Sequence, residues 1–460
     1  RKLDQARQAL RFCLANLNAE DRFEVVRFST EAEPLFGELG AADPAHLDRA
    51  RQFVDGMKPI GGTAIEDALL RAVDALEAGG QDGRPRVVIF LTDGQPTVGN
   101  TNADSIVKRV TDKVGDASIR IFSFGIGTNI NTHLLDKITT QTRAYSQYVL
   151  PEEDIEVKVS RFYRKIASPV LANLTLKARG IRITKTYPTE MPDLFEGDQL
   201  VVFGRYVGSG EAVLTVTGEA RGETKRIVNE LAFPEPGALT HEFIPRLWAG
   251  RRVGYLLDQI RLHGESDELK DEVTALARQY GIVTPYTSYL ILEDEARREV
   301  PVAQRTLNAL ERDRAAREEA EASASLFRDS DTGYDAVAGA RAGGKLRADN
   351  LARQAEAADE AAMPLSRPAE AGTADSARAA RHKVAQQQAR FVRGRAFFQN
   401  GTQWIDANVQ SKPDADLVRV KFNSDEYFDL MNKHPDAVAW LSVGRNVQLL
   451  LHDTVYEVVD

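Results

Sequence analysis

The fold is decided by one stretch, Arg86-Val87-Val88-Ile89-Phe90-Leu91-Thr92-Asp93-Gly94. Its apolar residues follow one another without alternation, which indicates a strand buried on both faces of a parallel sheet. The run ends at a carboxylate. Ligands of open α/β sheets bind beyond the carboxyl ends of the strands, so Asp93 lies where such a fold binds its ligands.

A second segment brings a hydroxyl to the same edge. Gly61-Gly62-Thr63 opens a segment with helical spacing, Ala64 to Leu76. One carboxylate and one hydroxyl suit a hard divalent cation such as Mg²⁺ or Ca²⁺ better than they suit zinc. Both residues also have a structural interpretation, because Thr63-x-x-Glu66 matches a capping box and Asp93 before Gly94 matches an ordinary turn. Spacing alone favours the structural interpretation.

These segments carry a resemblance to a known family. The residues from Gly61 to Leu69 and from Leu91 to Thr97 resemble two parts of the metal-ion-dependent adhesion site of von Willebrand factor A domains, in particular those of inter-alpha-trypsin inhibitor heavy chains and their bacterial relatives. A second similarity to the heavy chains runs from Trp248 to Ser288. The resemblance implies that Thr63 and Asp93 are ligands of Mg²⁺ or Ca²⁺. It also implies that an acidic side chain of a partner completes the shell, whereas Asp67 is structural or supports the ligands without binding the cation.

The remaining part of that site is an Asp-x-Ser-x-Ser at the end of the first strand, and no segment supplies it at the right place. The residues Arg1 to Leu10 resemble the helix that follows this motif in the family. We therefore expect a chain that is truncated just after the motif and lacks the first strand of its sheet. Two strand edges should then be unpaired, and metal binding should be weaker here than in a complete parent protein.

The chain divides into parts of different pattern. Strands alternate with helices up to Ser168, which predicts an α/β fold with a doubly wound, mostly parallel sheet. Short segments rich in Val, Leu, Ile and Thr follow, separated by Gly and Pro turns, and predict a β-sandwich-like module. The predicted parts are 1–168, the von Willebrand factor A domain; 169–243, a β-rich module; 244–296, a helical pair and strand; 297–388, a mostly disordered linker; and 389–460, a small α+β domain.

Local signals support several of these elements. Ser266 and Gly281 are start and stop signals for the second helix of the pair. Asn400-Gly401 between apolar segments is a strong signal for a hairpin. The region 297–388 is rich in Ala, Arg, Glu, Asp and Gly with little apolar patterning, which is typical of a flexible tether.

Composition excludes several classes of function. The net charge is -9, and no basic stripe with interleaved aromatic residues predicts nucleic-acid binding. No apolar run is long enough for a membrane span. The single cysteine, Cys13, lies in a helical pattern where a buried apolar residue is expected. No nucleotide-binding, zinc-protease or serine-hydrolase motif is present, and we predict no catalytic residue.

The sequence thus predicts a non-enzymatic, adhesion-type binding protein. Its expected partner is a protein or matrix ligand that presents an acidic side chain to the cation at Thr63 and Asp93. A metal-independent structural scaffold of the cell envelope is the alternative, and a hydrolase is the third possibility. The expected location is the bacterial cell envelope or the medium outside the cell.

Overall fold

The computed structural model divides the chain into two compact units. It describes residues 2–58, 61–80, 84–115, 117–151, 153–166, 169–195, 199–220, 223–235, 241, 243–348, 384 and 387–460. The first unit comprises Arg1–Pro236 and Asp331–Arg341, and the second comprises Gly237–Ser330 and Ala342–Asp460. This division is coarser than the five predicted parts, whose boundaries stay a prediction. Among the described residues, no helix is both long and apolar enough to cross a bilayer.

The first unit begins as an alternation of helices and strands. Its helices are α1 (Lys2–Ala15), α2 (Pro44–Asp55), α3 (Ile65–Ala78), α4 (Ala103–Val114), α5 (Thr132–Gln141) and α6 (Ile155–Ile166). Its strands are β1 (Arg22–Phe23), β2 (Val26–Phe28), β3 (Ala32–Pro34), β4 (Gly40–Ala41), β5 (Arg86–Thr92), β6 (Ile119–Ile126) and β7 (Ser146–Val149).

A parallel sheet of β5, β6 and β7, in that order, confirms the predicted α/β class. β6 is the central strand and is buried along its whole length. The register places Thr92 opposite Gly125, so β5 and β6 end together. A side chain at Gly125 would crowd the core, because a Cβ there would lie 2.3 Å from Cδ1 of Ile130. We call the rim where these two strands end, with Asp93 on it, the carboxyl edge.

A large cavity opens beside this sheet. It has a volume of about 2580 Å³ and lies between β2 and β5, with Val26, Leu69 and Val88 among its apolar lining residues. In the described part of the chain, β2 pairs with β3 alone and β5 with β6 alone. Among the described strands, each of these two therefore keeps one edge without a partner.

The β-rich module follows α6 within the same unit. Its strands are β8 (Pro169–Arg179), β9 (Arg182–Tyr187), β10 (Leu194–Phe195), β11 (Phe203–Val207), β12 (Gly210–Ala220) and β13 (Glu223–Phe233). Four of them form an antiparallel sheet in the order β10-β8-β12-β13, while β9 and β11 form a separate pair. In the described residues β13 is an edge strand, because it pairs with β12 alone.

A buried ion pair joins the parallel sheet to the β-rich module. Arg120 of β6 donates to both carboxylate oxygens of Asp193, at 2.9 and 3.1 Å, and to Oδ1 of Asn173 at 2.8 Å. Only 8% and 12% of the two charged side chains is exposed. The backbone N–H of Asn173 also donates to Asp193, at 2.9 Å. The two parts thus share a buried polar contact.

The second unit begins with helices. They are α7 (Phe243–His263), α8 (Asp267–Tyr280), α9 (Pro285–Arg297), α10 (Asn308–Arg312), α11 (Arg314–Asp329) and α12 (Gly333–Ala348). The residues of α12 up to Arg341 belong to the first unit, and those from Ala342 belong to the second. The predicted helical pair is α7 and α8, and the side chain of Ser266 caps α8 as expected. The prediction of a strand after this pair is wrong, because the helix α9 occupies that region. A complete capping box between Thr284 and Thr287, with proline at the first helical position, starts this helix despite its β-favouring Tyr and Ile residues.

Part of the predicted linker is helical. α10, α11 and α12 lie within it, whereas residues 349–383 lie outside the described residues. Ala316, Ala320 and Ala324 of α11 are at most 1% exposed. A stripe of alanine buries a helix face at close approach although each side chain carries little apolar area, which explains why the pattern indicated a tether here.

The C-terminal part of the second unit combines strands and helices. Its strands are β14 (Ala389–Val392), β15 (Arg395–Asn400), β16 (Gln403–Asp406), β17 (Asp416–Lys421), β18 (Asn446–Leu451) and β19 (Thr454–Val459), and its helices are α13 (Asp425–Lys433) and α14 (Ala437–Leu441). They form a six-stranded sheet in the order β14-β15-β16-β18-β19-β17. Asn400 pairs with Gln403 across the predicted Asn-Gly hairpin, which is confirmed.

A buried carboxylate links α9 to this sheet domain. Glu295 is 0% exposed, and its Oε1 accepts hydrogen bonds from the N–H of Thr306 at 3.0 Å and from Nε2 of Gln410 at 2.5 Å. Asn400 donates to the carbonyl of Thr306 at 2.6 Å. The two sides of the predicted linker therefore lie in one unit and share a polar network.

Candidate functional site

Asp93 lies on the carboxyl edge, immediately after β5. The hydroxyl of Thr92 donates to the carbonyl of Gly94 at 3.1 Å and accepts from the N–H of Gly94 at 3.3 Å. This local bonding turns the chain at Asp93, so the hydrogen bonds of the turn do not require the carboxylate. The side chain of Asp93 is 58% exposed, and its Oδ2 lies 3.8 Å from Nζ of Lys2.

Thr63 lies beside the same turn. Its N–H donates to Oγ1 of Thr97 at 2.9 Å, and the N–H of Thr97 donates to the carbonyl of Thr63 at 3.1 Å. These two bonds join the loop before α3 to the loop after β5. A Cβ on Gly94 would lie 3.1 Å from Oγ1 of Thr63, so the hydroxyl packs against the residue that follows Asp93. The structure brings the two predicted ligands to one edge.

The capping box at Thr63 is not formed. Ala64, not Thr63, is the N-cap of α3, and it makes no side-chain capping bond. Glu66 instead accepts hydrogen bonds from Asn100 at 3.0 Å and from Arg109 at 3.1 Å. Tertiary contacts therefore take the carboxylate that a local capping motif requires, and the structural interpretation of Thr63 is wrong.

Asp67 is held away from the edge by other contacts. Its Oδ2 accepts from the N–H of Ala32 at 3.0 Å, and its Oδ1 lies 3.4 Å from Nε of Arg71. It therefore connects α3 to β3, which is a structural role.

Two oxygens fit a hard cation in type but not in number. Mg²⁺ and Ca²⁺ take six or more oxygen ligands, and Thr63 and Asp93 leave the rest to water or to other groups. Within the described residues, no group of three or more His, Cys, Asp or Glu side chains is placed to hold a metal ion. The ammonium of Lys2 also lies close enough to Asp93 to compete with a cation for it.

Three residues of the edge were not predicted from the sequence. Lys2 reaches it from α1, and a Cβ on Gly127 would lie 3.0 Å from its Nζ. Gln95 donates to Oδ1 of Asn129 at 3.2 Å, across the ends of β5 and β6. The strand-end rule applied to β6 as well as β5 would have found Asn129, whereas no local signal marks Lys2.

The thiol of the single cysteine, Cys13, has low reactivity. Burial raises the pKa of the Cys13 thiol from 9.0 to about 12. A thiol with so high a pKa contributes almost no thiolate near neutral pH, and the thiolate is the reactive form. This agrees with the expected structural role of Cys13.

Comparison with known proteins identifies relatives of part of the chain. Residues 1–148 match the von Willebrand factor type A domain. Human inter-alpha-trypsin inhibitor heavy chain H4 is 30% identical over 330 residues, which are 68% of this chain and 35% of that protein. Human heavy chain H3 is 27% identical over 311 residues, 64% of this chain and 35% of that protein. The chain thus spans about a third of the length of these relatives.

One solved structure is also similar to part of the chain. The von Willebrand factor type A protein from Catenulispora acidiphila is 16% identical, with a TM-score of 0.45, and the match covers 63% of this chain and 77% of that one.

Proposed function

Because the chain carries a von Willebrand factor type A domain and resembles the inter-alpha-trypsin inhibitor heavy chains, we propose that it is a non-enzymatic binding protein that uses the carboxyl edge. Thr63 and Asp93 supply two oxygens to Mg²⁺ or Ca²⁺. An acidic side chain of a protein or matrix ligand supplies another, and the remaining ligands come from outside the described residues. The protein acts in the cell envelope or outside the cell of a bacterium.

One observation carries this proposal. The hydroxyl of Thr63 and the carboxylate of Asp93 come from segments far apart in sequence, and the backbone bonds between Thr63 and Thr97 hold these segments together. Neither side chain is needed for local structure, since α3 starts without Thr63 and the turn after β5 is bonded through Thr92. Polar groups that are placed together without a structural task favour a ligand.

The role of Lys2 supports a second candidate from another class. An ammonium 3.8 Å from Asp93 neutralises the edge without a metal. A structural scaffold that binds its neighbours independently of cations would use this arrangement as it is. Binding of a partner in excess EDTA favours the scaffold, whereas loss of binding favours the cation.

Calorimetric titration of Mg²⁺ and Mn²⁺ tests the metal proposal directly. We compare the chain with a form extended at its N-terminus by an apolar strand that ends in Asp-x-Ser-x-Ser. We expect weak binding to the chain and tight binding to the extended form, since two protein oxygens are too few to displace water from the cation. Tight binding to the unextended chain, or none to the extended form, would contradict the proposal.

Variants then assign the ligands. Asp93→Ala and Thr63→Ala should each abolish tight binding in the extended form. Asp48→Ala is the matched control, because this exposed carboxylate lies on α2 and pairs with Arg51. Lys2→Gln should strengthen binding, since it removes a positive charge beside Asp93.

A further inference from the structure

The edge strand β13 combines three unusual features. Its residues from Glu223 to Ala232 are all exposed, so neither face of the strand is covered. Ile227, Val228 and Leu231 are 49%, 50% and 47% exposed. In the part of the chain that the structure describes, the second backbone edge of β13 faces no other strand. A long exposed edge strand with apolar side chains is a template for pairing with another strand.

The register with β12 shows which side chains share a face. Ile227 lies opposite Val216, which in turn lies opposite Leu176 of β8. Directly opposed residues of an antiparallel pair lie on the same face, so these three form an apolar row that runs out to the edge. Val228 lies on the other face, between Arg226 and Glu230.

Among the described residues, the two charges beside Val228 have no ion-pair partner within one copy. Arg226 and Glu230 form no ion pair with any described residue of the chain. They lie four residues apart on one strand, about 13 Å, which is too far for a direct contact between them. Charged residues on an edge strand usually oppose further pairing. Here Arg226 and Glu230 lie two residues on either side of Val228, so each can face the opposite charge of a second, antiparallel copy of the strand.

From this placement we infer that β13 pairs with β13 of a second copy of the chain, in antiparallel register about Val228. Val228 is the middle residue of Glu223–Phe233, so this register pairs the whole strand without an overhang. Arg226 then faces Glu230 of the second copy, and Glu230 faces Arg226, which gives two cross-strand ion pairs on either side of a Val228–Val228 contact.

The same register also serves the apolar face. Residues with odd numbers face residues with odd numbers, so the apolar row of one copy continues into the other. Ile227 of each copy lies diagonal to Ile227 and Leu231 of the other, within reach of apolar side chains. A register centred on Ile227 places Arg226 opposite Val228, and one centred on Asn229 places Arg226 opposite Ala232. Neither register forms the Arg226–Glu230 ion pairs. The two four-stranded sheets become one continuous sheet.

Charge reversal and sedimentation equilibrium test this inference on the full chain. The chain should be a dimer whose dissociation constant rises with added salt. Arg226→Glu and Glu230→Arg each place like charges opposite one another twice, and each should weaken the dimer by about tenfold or more. The double variant Arg226→Glu with Glu230→Arg restores both pairs and should restore the dimer. Lys177→Glu, an exposed charge on the central strand β8, is the control and should leave the dissociation constant unchanged.

Mixing the two single variants makes the test specific. An Arg226→Glu copy facing a Glu230→Arg copy has two attractive pairs, so the mixture should form heterodimers although each variant alone is largely monomeric. Native mass spectrometry distinguishes these species, and far-ultraviolet circular dichroism checks that each variant is folded. A monomeric wild-type chain, a dimer indifferent to both reversals, or a mixture without heterodimers would overturn the inference. Because the strand is remote in sequence from Asp93, the dimer should also survive EDTA and Asp93→Ala.

Discussion

Replacing Arg120 with leucine should selectively destabilise the first unit. The substitution leaves the carboxylate of Asp193, 12% exposed, without its charged partner. Breaking a buried ion pair by removing one member costs about 3 to 5 kcal/mol. Asp193 keeps the hydrogen bond from the N–H of Asn173, so we expect the low end, about 3 kcal/mol. This corresponds to roughly a hundredfold lower protection of the β6 amides against hydrogen exchange.

The chain contains its own control for this measurement. All three tryptophans, Trp248, Trp404 and Trp440, lie in the second unit. Exchange of residues 119–126 therefore reports on the first unit, while tryptophan fluorescence during urea unfolding reports on the second. Arg120→Leu should lower the exchange protection and leave the fluorescence midpoint unchanged.

Two further variants separate the charge from the packing. In Arg120→Leu with Asp193→Leu, most of the lost protection should return, since no unpaired charge stays buried. Arg27→Leu removes an exposed pair with Glu33, 38% and 57% exposed, and should cost less than about 1 kcal/mol. A loss of protection below about tenfold in Arg120→Leu, or an equal shift of the fluorescence midpoint, would refute the reasoning.

Three other outcomes follow from the structure. Burial raises the pKa of Cys13 from 9.0 to about 12, so the stability that this thiol contributes is present below pH 9 and lost as the pH rises towards 12. Iodoacetamide at pH 8 should therefore label Cys13 only after denaturation, which mass spectrometry detects. Burial raises the pKa of Asp294, but hydrogen bonds and the charge of Arg278 outweigh it and hold this pKa below 3.8. The stability that Asp294 contributes is present above pH 3.8 and lost below it. Asp294→Asn should therefore make the fluorescence midpoint of unfolding less sensitive to acid. Gly125→Ala should cost about 1 to 3 kcal/mol in the first unit, because its Cβ would overlap Ile130, and unchanged exchange protection of β6 would contradict this.

The sequence predicted those features that depend on local chemistry. The strand that ends at Asp93, the cap at Ser266 and the hairpin at Asn400 each depend on a few neighbouring residues, and all three are present. The capping box at Thr63 was equally local but did not form. Its carboxylate, Glu66, is taken by Asn100 and by Arg109 of α4, which no local pattern can show.

The sequence selected two residues of the carboxyl edge but not their surroundings. The strand-end rule and the family resemblance were enough to select Thr63 and Asp93. Lys2 was not predicted, because its approach to Asp93 depends on how α1 packs against the sheet. The packing of the helices within 308–348 was not predicted for a related reason, since buried alanines carry little hydrophobic signal in a sequence.

The position of Glu295 decides how this protein can be divided for separate expression. A cut after Thr306 within the predicted linker would remove Gln410, which donates to Glu295, and Asn400, which donates to the carbonyl of Thr306. Each of these buried acceptors would lose a donor. Such a fragment would present freshly opened surface and tend to precipitate. Shortened forms should instead keep α9 and the C-terminal sheet together.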